Sequence, residues 1–127
     1  MSECGCLYSG ADEDNDFECR QWRTAAKDHR CSECRRAITR GEKYEIYTTK
    51  SDGTIHTTKT CAECSEIRDT FYCDGFYFGR LWSDVEEQMF DHGPLNSACL
   101  DKLVTVAAKQ FLQRRWWQWV EARAGGA

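Results

Sequence analysis

With 127 residues the chain suits one compact domain, but aliphatic residues are few and nine residues are cysteines. Chains that bury little apolar surface commonly gain stability from disulfides or metal ions. The formal net charge of −4 argues against a general nucleic-acid-binding protein, and no apolar run approaches the roughly 20 residues that span a bilayer. Because no secretory signal is evident, we expect a cytoplasmic protein without membrane attachment, whose reduced thiols favour metal over disulfides.

The first half of the chain is predicted to contain an arm, a short helical turn and a hairpin. Residues 1–19 form an irregular acidic arm, and the helical turn is expected over 20–27. The β-branched and aromatic residues of 43–50 and 54–60 predict two strands. An Asp-Gly pair between them favours a tight hairpin.

The second half is predicted to be helical. Residues 65–72 predict a helix directly after the hairpin. Ser83 to Glu86 match a capping box that would open a second helix, and Gly93-Pro94 would end it. A long last helix is predicted from about residue 96 to 123. Its apolar stripe is expected to pack on the domain and consists of Leu100, Leu103, Val104, Ala107 and Phe111.

Two Cys-x-x-Cys pairs carry the clearest signal in the chain. Their spacing is C-x2-C-x26-C-x2-C, formed by Cys31, Cys34, Cys61 and Cys64. Each such pair spans one edge of the tetrahedron that zinc prefers, and an iron–sulfur cluster is the minor alternative. A cysteine knuckle, a hairpin and a helix that begins with the last pair is the treble-clef order. The sequence therefore predicts a small α+β zinc-binding domain that is treble-clef-like, with two further C-terminal helices.

The motifs around these cysteines resemble those of small proteins encoded by bacteriophages and prophages. The shared elements are a basic-His-x-Cys-x-x-Cys, an Ile-x-x-Gly-Glu-x-Tyr and a Lys-Thr-Cys-x-x-Cys, here at 29–34, 38–44 and 59–64. The group also tends to open with a Cys-x-Cys and to place a cysteine beyond the helix, here Cys4, Cys6 and Cys73. The resemblance covers about residues 4–90 and omits the C-terminal helix. It implies a zinc-binding treble clef in a phage context, without a defined activity.

Five cysteines lie outside the two pairs, and the sequence leaves two interpretations of them open. In one, a second zinc ion is bound by Cys4, Cys6 and Cys73, with Cys99 or His92 as the fourth ligand. Such a site would tie the arm to the loop after the helix. In the other, these thiols are buried singly, because free cysteine behaves as a small hydrophobic residue. We therefore predict one zinc ion and leave a second one open.

The chain is expected to divide into an acidic arm (1–19), a treble-clef zinc domain (20–92) and an amphipathic aromatic helix packed on it (95–123). An enzyme is not expected. Four cysteines close the coordination shell of zinc, whereas a catalytic zinc keeps one position open. His56 on the hairpin has no second histidine beside it, and no phosphate loop or nucleophile elbow is present.

Two binding functions remain. The favoured one is a zinc-stabilised protein-interaction module of phage type that binds and modulates or inhibits a host protein, such as a component of a defence system. Tryptophan and arginine dominate binding hot spots, and the last helix carries Arg114, Arg115, Trp116 and Trp117. The two tryptophans project about 100° apart, so one of them leaves the core stripe. Which one, and whether the helix also mediates homo-oligomers, stays open.

The alternative is a zinc-finger protein that binds nucleic acid through the basic stretch 20–43. Arginine and lysine side chains there could contact the phosphate backbone, and the candidates are Arg30, Arg35, Arg36, Arg40 and Lys43. The acidic overall charge opposes this function.

Overall fold

The computed structural model describes residues 6–7, 17–51, 53–73, 76–92 and 97–125. They form the predicted small α+β domain, with strands in the first half and helices in the second. In chain order the elements are β1 (Phe17–Thr24), β2 (His29–Arg30), β3 (Ala37–Ile38), β4 (Lys43–Ser51), β5 (Thr54–Cys61), α1 (Ala62–Phe71), α2 (Leu81–Gln88), a 3-10 helix (Phe90–His92), α3 (Ser97–Lys102) and α4 (Val106–Gly125).

The main sheet is antiparallel, in the order β1-β4-β5. The predicted hairpin is confirmed as β4 and β5, which pair from Tyr44↔Cys61 to Ser51↔Thr54. Gly53 has a φ of +78° in the connecting turn, a left-handed conformation that glycine adopts without steric cost. His56 lies on this hairpin and is exposed, as predicted.

Strand β1 replaces the predicted helical turn. Phe17–Thr24 is extended and pairs with β4 along its whole length, so the strand also crosses the predicted boundary between arm and domain. The prediction of a helical turn is wrong because the partners of β1 are distant in sequence. Arg20 reaches from β1 to Glu45 on β4 and to Asp69 on α1, and these ion pairs require the extended register.

A buried ion pair joins α1 to the sheet. The Glu45 carboxylate accepts hydrogen bonds from Ser65 Oγ at 2.9 Å and from Arg68 Nη2 at 2.7 Å. Glu45 and Arg68 are both 0 % exposed. The guanidinium group of Arg68 lies over the ring of Phe76, 4.4 Å from its centre. Its Nε and Nη1 atoms have no hydrogen-bond partner among the described residues. This pair therefore places two fully buried charges between helix and sheet, with the partly exposed Arg20 and Asp69 beside them.

Helix α2 begins two residues before the predicted capping box. Ser83 lies inside the helix and donates to the Arg80 carbonyl oxygen at 3.1 Å, so the capping-box prediction is wrong. The buried Glu33 carboxylate instead accepts from the backbone N–H groups of Gly79 at 2.9 Å and Leu81 at 3.1 Å. Burial raises the pKa of Glu33, and these backbone donors act in the opposite direction. A residue far away in sequence thus caps the entry to α2.

The predicted long last helix is two helices, because the chain breaks at residues 103–105. The Glu66 carboxylate of α1 accepts from the backbone N–H groups of Val104 at 2.7 Å and Thr105 at 3.0 Å. Thr105 Oγ1 accepts from the backbone N–H of Ala108 at 3.1 Å and caps α4. Among the described helices, none combines the length and apolarity that crossing a membrane requires.

Because the helix is interrupted, the buried stripe also falls on other residues than predicted. Leu103 and Phe111 are buried as expected, but Val104 is 86 % exposed and Ala107 is exposed. Two buried residues of α4, Ala108 and Leu112, take the places of Val104 and Ala107. The stripe prediction assumed one continuous helix, so it is wrong for the residues next to the break.

The beginning of the chain is attached to the end of α1. Leu7 is buried, forms a parallel bridge with Tyr72 and donates its N–H to the Phe71 carbonyl oxygen at 2.9 Å. The neighbouring residues Cys6 and Cys73 form a disulfide. The arm is therefore tied to the loop after α1, as the second-site interpretation expected, but by a covalent bond.

The disulfide corrects the prediction of a second zinc site. Sulfur atoms joined in a disulfide are not thiolates, so Cys6 and Cys73 are not metal ligands here. Cys99 is disulfide-bonded as well. The expectation that metal would be favoured over disulfides is wrong for these three residues. Cys4, the side chain of His92 and most of the acidic arm lie outside the described residues.

Candidate metal centre

Four cysteine side chains from two distant parts of the chain meet inside the domain. The Sγ atoms of Cys31, Cys34, Cys61 and Cys64 all lie within 4.8 Å of one another, and those of Cys34 and Cys61 are 4.0 Å apart. Tetrahedral zinc with Zn–S bonds of about 2.3 Å requires sulfur atoms about 3.8 Å apart. Three of the cysteines are buried and Cys34 is half-buried. The predicted ligand set is therefore assembled as a metal-binding cluster that fits one four-coordinate ion.

The first pair lies on a tight knuckle between β2 and β3. Cys31 donates its N–H to the Arg36 carbonyl oxygen at 2.9 Å, and Arg35 donates to the Cys31 carbonyl oxygen at 3.0 Å. Ser32 donates to the Lys59 carbonyl oxygen at 2.8 Å, which fixes the knuckle against β5. These bonds close the chain around the sulfur atoms of the first pair. They also force Arg35 to a φ of 68°, which is rare for a residue with a side chain.

Replacing Arg35 by glycine is expected to stabilise the domain by about 0.5–1 kcal/mol, because glycine adopts a positive φ without clash. The gain is limited because glycine also increases the entropy of the unfolded chain. Denaturant unfolding at fixed metal concentration measures it. Arg35→Ala is the matched control, since it removes the same charge but keeps Cβ. Equal stability of the two variants would contradict the strain explanation.

The second pair lies at the junction of β5 and α1. Cys61 is the N-cap of α1, and its Sγ accepts from the backbone N–H of Cys64 at 3.5 Å. The backbone N–H of Cys61 in turn donates to Cys31 Sγ at 3.4 Å. The free N–H groups and the positive dipole end of a helix N-terminus favour thiolate charge. The helix start therefore supplies donors to sulfur as well as two of the ligands.

Protons are shared unequally in the metal-free cluster. Hydrogen bonds from the neighbouring thiols, first that of Cys34, lower the pKa of Cys31. The interaction with Cys31 then raises the pKa of Cys61 and of Cys64. Four thiolates in one buried site repel each other strongly, so full deprotonation requires a cation among them. The cluster has the electrostatic character of a cation site.

A tryptophan that sequence reasoning missed completes the centre. The indole N–H of Trp82, on α2, donates to Cys64 Sγ at 3.4 Å, and the residue is 5 % exposed. Its ring packs against that of Phe111 with centres 5.6 Å apart, and Arg115 lies 4.4 Å above it. Helices α2 and α4 thus cover the cluster. The spacing of Trp82 from the cysteines gave no signal, because only the tertiary fold brings it to the sulfur.

The predicted basic residues lie in two different settings. Arg36 is committed to ion pairs with Glu42 at 3.0 Å and Glu63 at 2.9 Å, and it lowers the pKa of Glu42 to about 2. It is therefore a poor candidate for the predicted phosphate contact. The other predicted phosphate contacts are exposed, as expected of a binding surface, and are Arg30, Arg35, Arg40 and Lys43.

The predicted partner-binding residues of the last helix also lie in different environments. Arg114 and Arg115 line a cavity of about 180 Å³ together with Arg36 and the half-buried Cys34, so α4 meets the knuckle. Trp116 packs inward, with its ring centre 5.3 Å from those of Phe90 and Trp119.

Trp117 is the tryptophan that leaves the core stripe, since it is 61 % exposed. The sequence predicted that one of the two would do so, and the packing of Trp116 decides which.

Comparisons of this chain with protein-family models, curated proteins and solved structures give no match. The resemblance to small phage-encoded proteins therefore stays a prediction.

Proposed function

We propose that this protein is a non-enzymatic, zinc-stabilised module that binds another protein through the outward side of α4. The observation that carries the proposal is Trp117, a large apolar side chain held 61 % exposed on a well-packed helix. Tryptophan is among the residues most enriched at binding hot spots.

Zinc is the metal that the donor set favours. Four cysteine sulfur atoms, without carboxylate or imidazole among them, suit the closed tetrahedral shell of a structural zinc ion. A knuckle, then the β4–β5 hairpin, then a helix that carries the last pair at its start follows the treble-clef order. A closed shell has no position for substrate or water, which agrees with a structural role for the metal.

The exposed side of α4, here called the outer face, is centred on Trp117 and comprises Gln110, Gln113, Trp117, Glu121 and Ala124, with the half-buried Val120 at its edge. At about 100° per residue these positions share one side of the helix. They lie opposite the buried residues Ala108, Phe111 and Leu112, which pack on the domain. Glu121 is the charged member of the outer face and lies about 40° from Trp117 around the helix. Trp117 is the large exposed apolar side chain at the centre of this face, and polar residues surround it, as at the rim of a protein-binding surface.

The class of partner comes from the resemblance to phage-encoded proteins, which implies a host protein whose activity is modulated or inhibited. The exposed indole of Trp117 adds a physical expectation to this proposal. Binding through it should tolerate high salt, because screening acts on charge–charge contacts and leaves apolar burial intact.

A photo-crosslinking amino acid placed at position 117 tests the proposal. We expect it to form adducts with a protein in host-cell lysate at both low and high salt. The same amino acid at Lys50, exposed on the hairpin, is the matched control and should form none. Trp117→Ala should change the free energy of unfolding by less than about 0.5 kcal/mol, since the side chain is exposed. Absence of protein adducts at position 117 would contradict the proposed function.

The second candidate function is nucleic-acid binding, favoured by the exposure of Arg30, Arg35, Arg40 and Lys43 around the knuckle. Phosphate contacts make affinity fall steeply with salt. Adducts of position 117 with protein that persist at high salt therefore support the first function. Retention on nucleic acid that disappears with salt, and with Arg30→Glu and Arg40→Glu, would support the second.

A further inference from the structure

We infer that Cys34 is a covalent modification site, at which the metal cluster undergoes thiol–disulfide exchange with small disulfides that carry carboxylate groups. The inference is carried by the cavity of about 180 Å³ between α4 and the knuckle, here called the knuckle cavity. The described residues that line it are Cys34, Arg36, Phe111, Arg114, Arg115 and Gln118. A cluster ligand and three cationic side chains thus share one cavity. The inference does not depend on the protein proposed to bind Trp117.

Cys34 is the most accessible of the four cluster cysteines. It is half-buried, whereas Cys31, Cys61 and Cys64 are 0 % exposed. The sulfur of Cys64 is also covered by Trp82 of α2, whose indole N–H it accepts. Reactive cysteines are typically those that combine partial exposure with cationic surroundings. A reagent that enters the knuckle cavity therefore meets the sulfur of Cys34 first.

Two of the three arginines in the knuckle cavity are available to an anion. Arg36 is held by the ion pairs with two glutamates described above. Arg114 and Arg115 form no ion pair with a described residue. Their guanidinium groups lie near aromatic rings, 6.0 Å from the centre of Phe111 and 4.4 Å from that of Trp82, respectively. A guanidinium group beside a ring can still donate its N–H groups to a carboxylate.

The charges around the knuckle cavity favour a reagent that carries carboxylates. Four thiolates and one zinc ion have a net charge of about −2, which by itself repels an anion. Arg114 and Arg115 offset this charge, and the described residues that line the cavity include no carboxylate. Each arginine can form a charge-assisted hydrogen bond with a carboxylate of the reagent. A neutral disulfide of similar size gains no such contact.

The exchange is a nucleophilic displacement at sulfur. Cys34 Sγ, which carries no proton when it is a metal ligand, attacks one sulfur atom of the disulfide. The new S–S bond forms while the bond within the reagent breaks, and the second half of the reagent leaves as a thiolate. Cys34 is thereby oxidised to a mixed disulfide, and the departing half is reduced. The cluster then keeps three thiolates, so metal affinity falls and the ion is released.

Reaction of the metal-loaded Cys19→Ser protein with two chromogenic disulfides tests the inference. This background removes a free cysteine outside the cluster. The probes are dithiobis(nitrobenzoate), with one carboxylate on each half, and the neutral dithiodipyridine. We expect peptide mass spectrometry to find the first adduct on Cys34 with both probes, and a chromogenic chelator to detect metal release after it. Combining Arg114→Gln with Arg115→Gln should slow the anionic probe about tenfold and the neutral one less than about twofold.

The control variant combines Arg23→Gln with Arg40→Gln, which removes two positive charges at exposed positions outside the knuckle cavity. It should change neither rate by more than about twofold. Metal content and circular dichroism before the reaction show whether each variant is folded. High salt tests the same charge contact without a substitution, since it should slow the anionic probe and leave the neutral one unchanged.

A first adduct on another cysteine overturns the inference. So does a ratio of the two rates that neither the changes at Arg114 and Arg115 nor high salt alters. The proposed metal is judged separately by the metal content before the reaction. A protein that holds no metal rejects the structural zinc ion, and the order of cysteine modification still decides whether Cys34 is the site of exchange.

Discussion

Replacing Cys64 by serine is expected to abolish stable metal binding and to unfold the domain. Cys64 is 0 % exposed, and its sulfur lies at the junction of α1, β5 and the knuckle. Binding of structural zinc contributes about 10–16 kcal/mol in small domains, which equals or exceeds the total stability of about 5–15 kcal/mol of most domains. Removal of the metal by a chelator should have the same effect on the wild-type protein.

Native mass spectrometry and thermal unfolding followed by circular dichroism measure both results. Cys19→Ser is the matched control, because Cys19 is a free cysteine on β1 outside the cluster. It should bind one zinc ion and unfold at the temperature of the wild-type protein. A folded Cys64→Ser protein without metal would show that the core and the disulfides suffice, and would reject a structural metal.

Replacing Glu45 by glutamine is expected to destabilise the protein by about 3–5 kcal/mol. The substitution keeps the volume but removes the charge opposite Arg68, whose guanidinium group is fully buried. Removing one member of a buried pair leaves an uncompensated charge, and this accounts for most of the loss. The other carboxylate beside Arg68 is that of Asp69, 3.4 Å from Nη2, and it is too exposed to replace the buried Glu45. Two further nitrogen atoms of Arg68 lack hydrogen bonds among the described residues.

Denaturant unfolding measures this loss of stability, and two other variants serve as controls. Asp91→Asn breaks the exposed ion pair with Arg123 and should cost less than about 1 kcal/mol. Combining Glu45→Leu with Arg68→Met should recover most of the lost stability, because apolar residues of similar volume need no charge partner. A loss below about 1 kcal/mol for Glu45→Gln would mean that water reaches Arg68.

Local patterns predicted the elements that depend on neighbouring residues. A high content of β-branched and aromatic residues and an Asp-Gly pair predicted the β4–β5 hairpin, and the four-cysteine cluster follows from pair spacing and element order. Two elements whose positions depend on distant partners were predicted wrongly. Strand β1 depends on Arg20 reaching Asp69, and the start of α2 depends on Glu33, 48 residues before Leu81.

The cysteines outside the cluster show why a count of cysteines does not distinguish a disulfide from a metal site. Cys6 and Cys73 lie 67 residues apart, and the approach of Leu7 to Tyr72 is what makes them neighbours. At that distance two sulfur atoms suffice for a covalent bond, whereas a metal site needs four donors converging. The pattern correctly connected the arm to the loop after α1 but predicted the wrong bond.

The sequence by itself determined that this is a small α+β domain with one four-cysteine cluster, because ligand spacing and local propensity act over a few residues. Only the tertiary structure decided which tryptophan of the last helix packs on the domain and which one is exposed. The break at Thr105 resets the helical phase, which turns Trp116 towards Phe90 and Trp117 towards solvent. That break is made by Glu66 of α1, so the exposure of Trp117 depends on a contact that a local pattern does not contain.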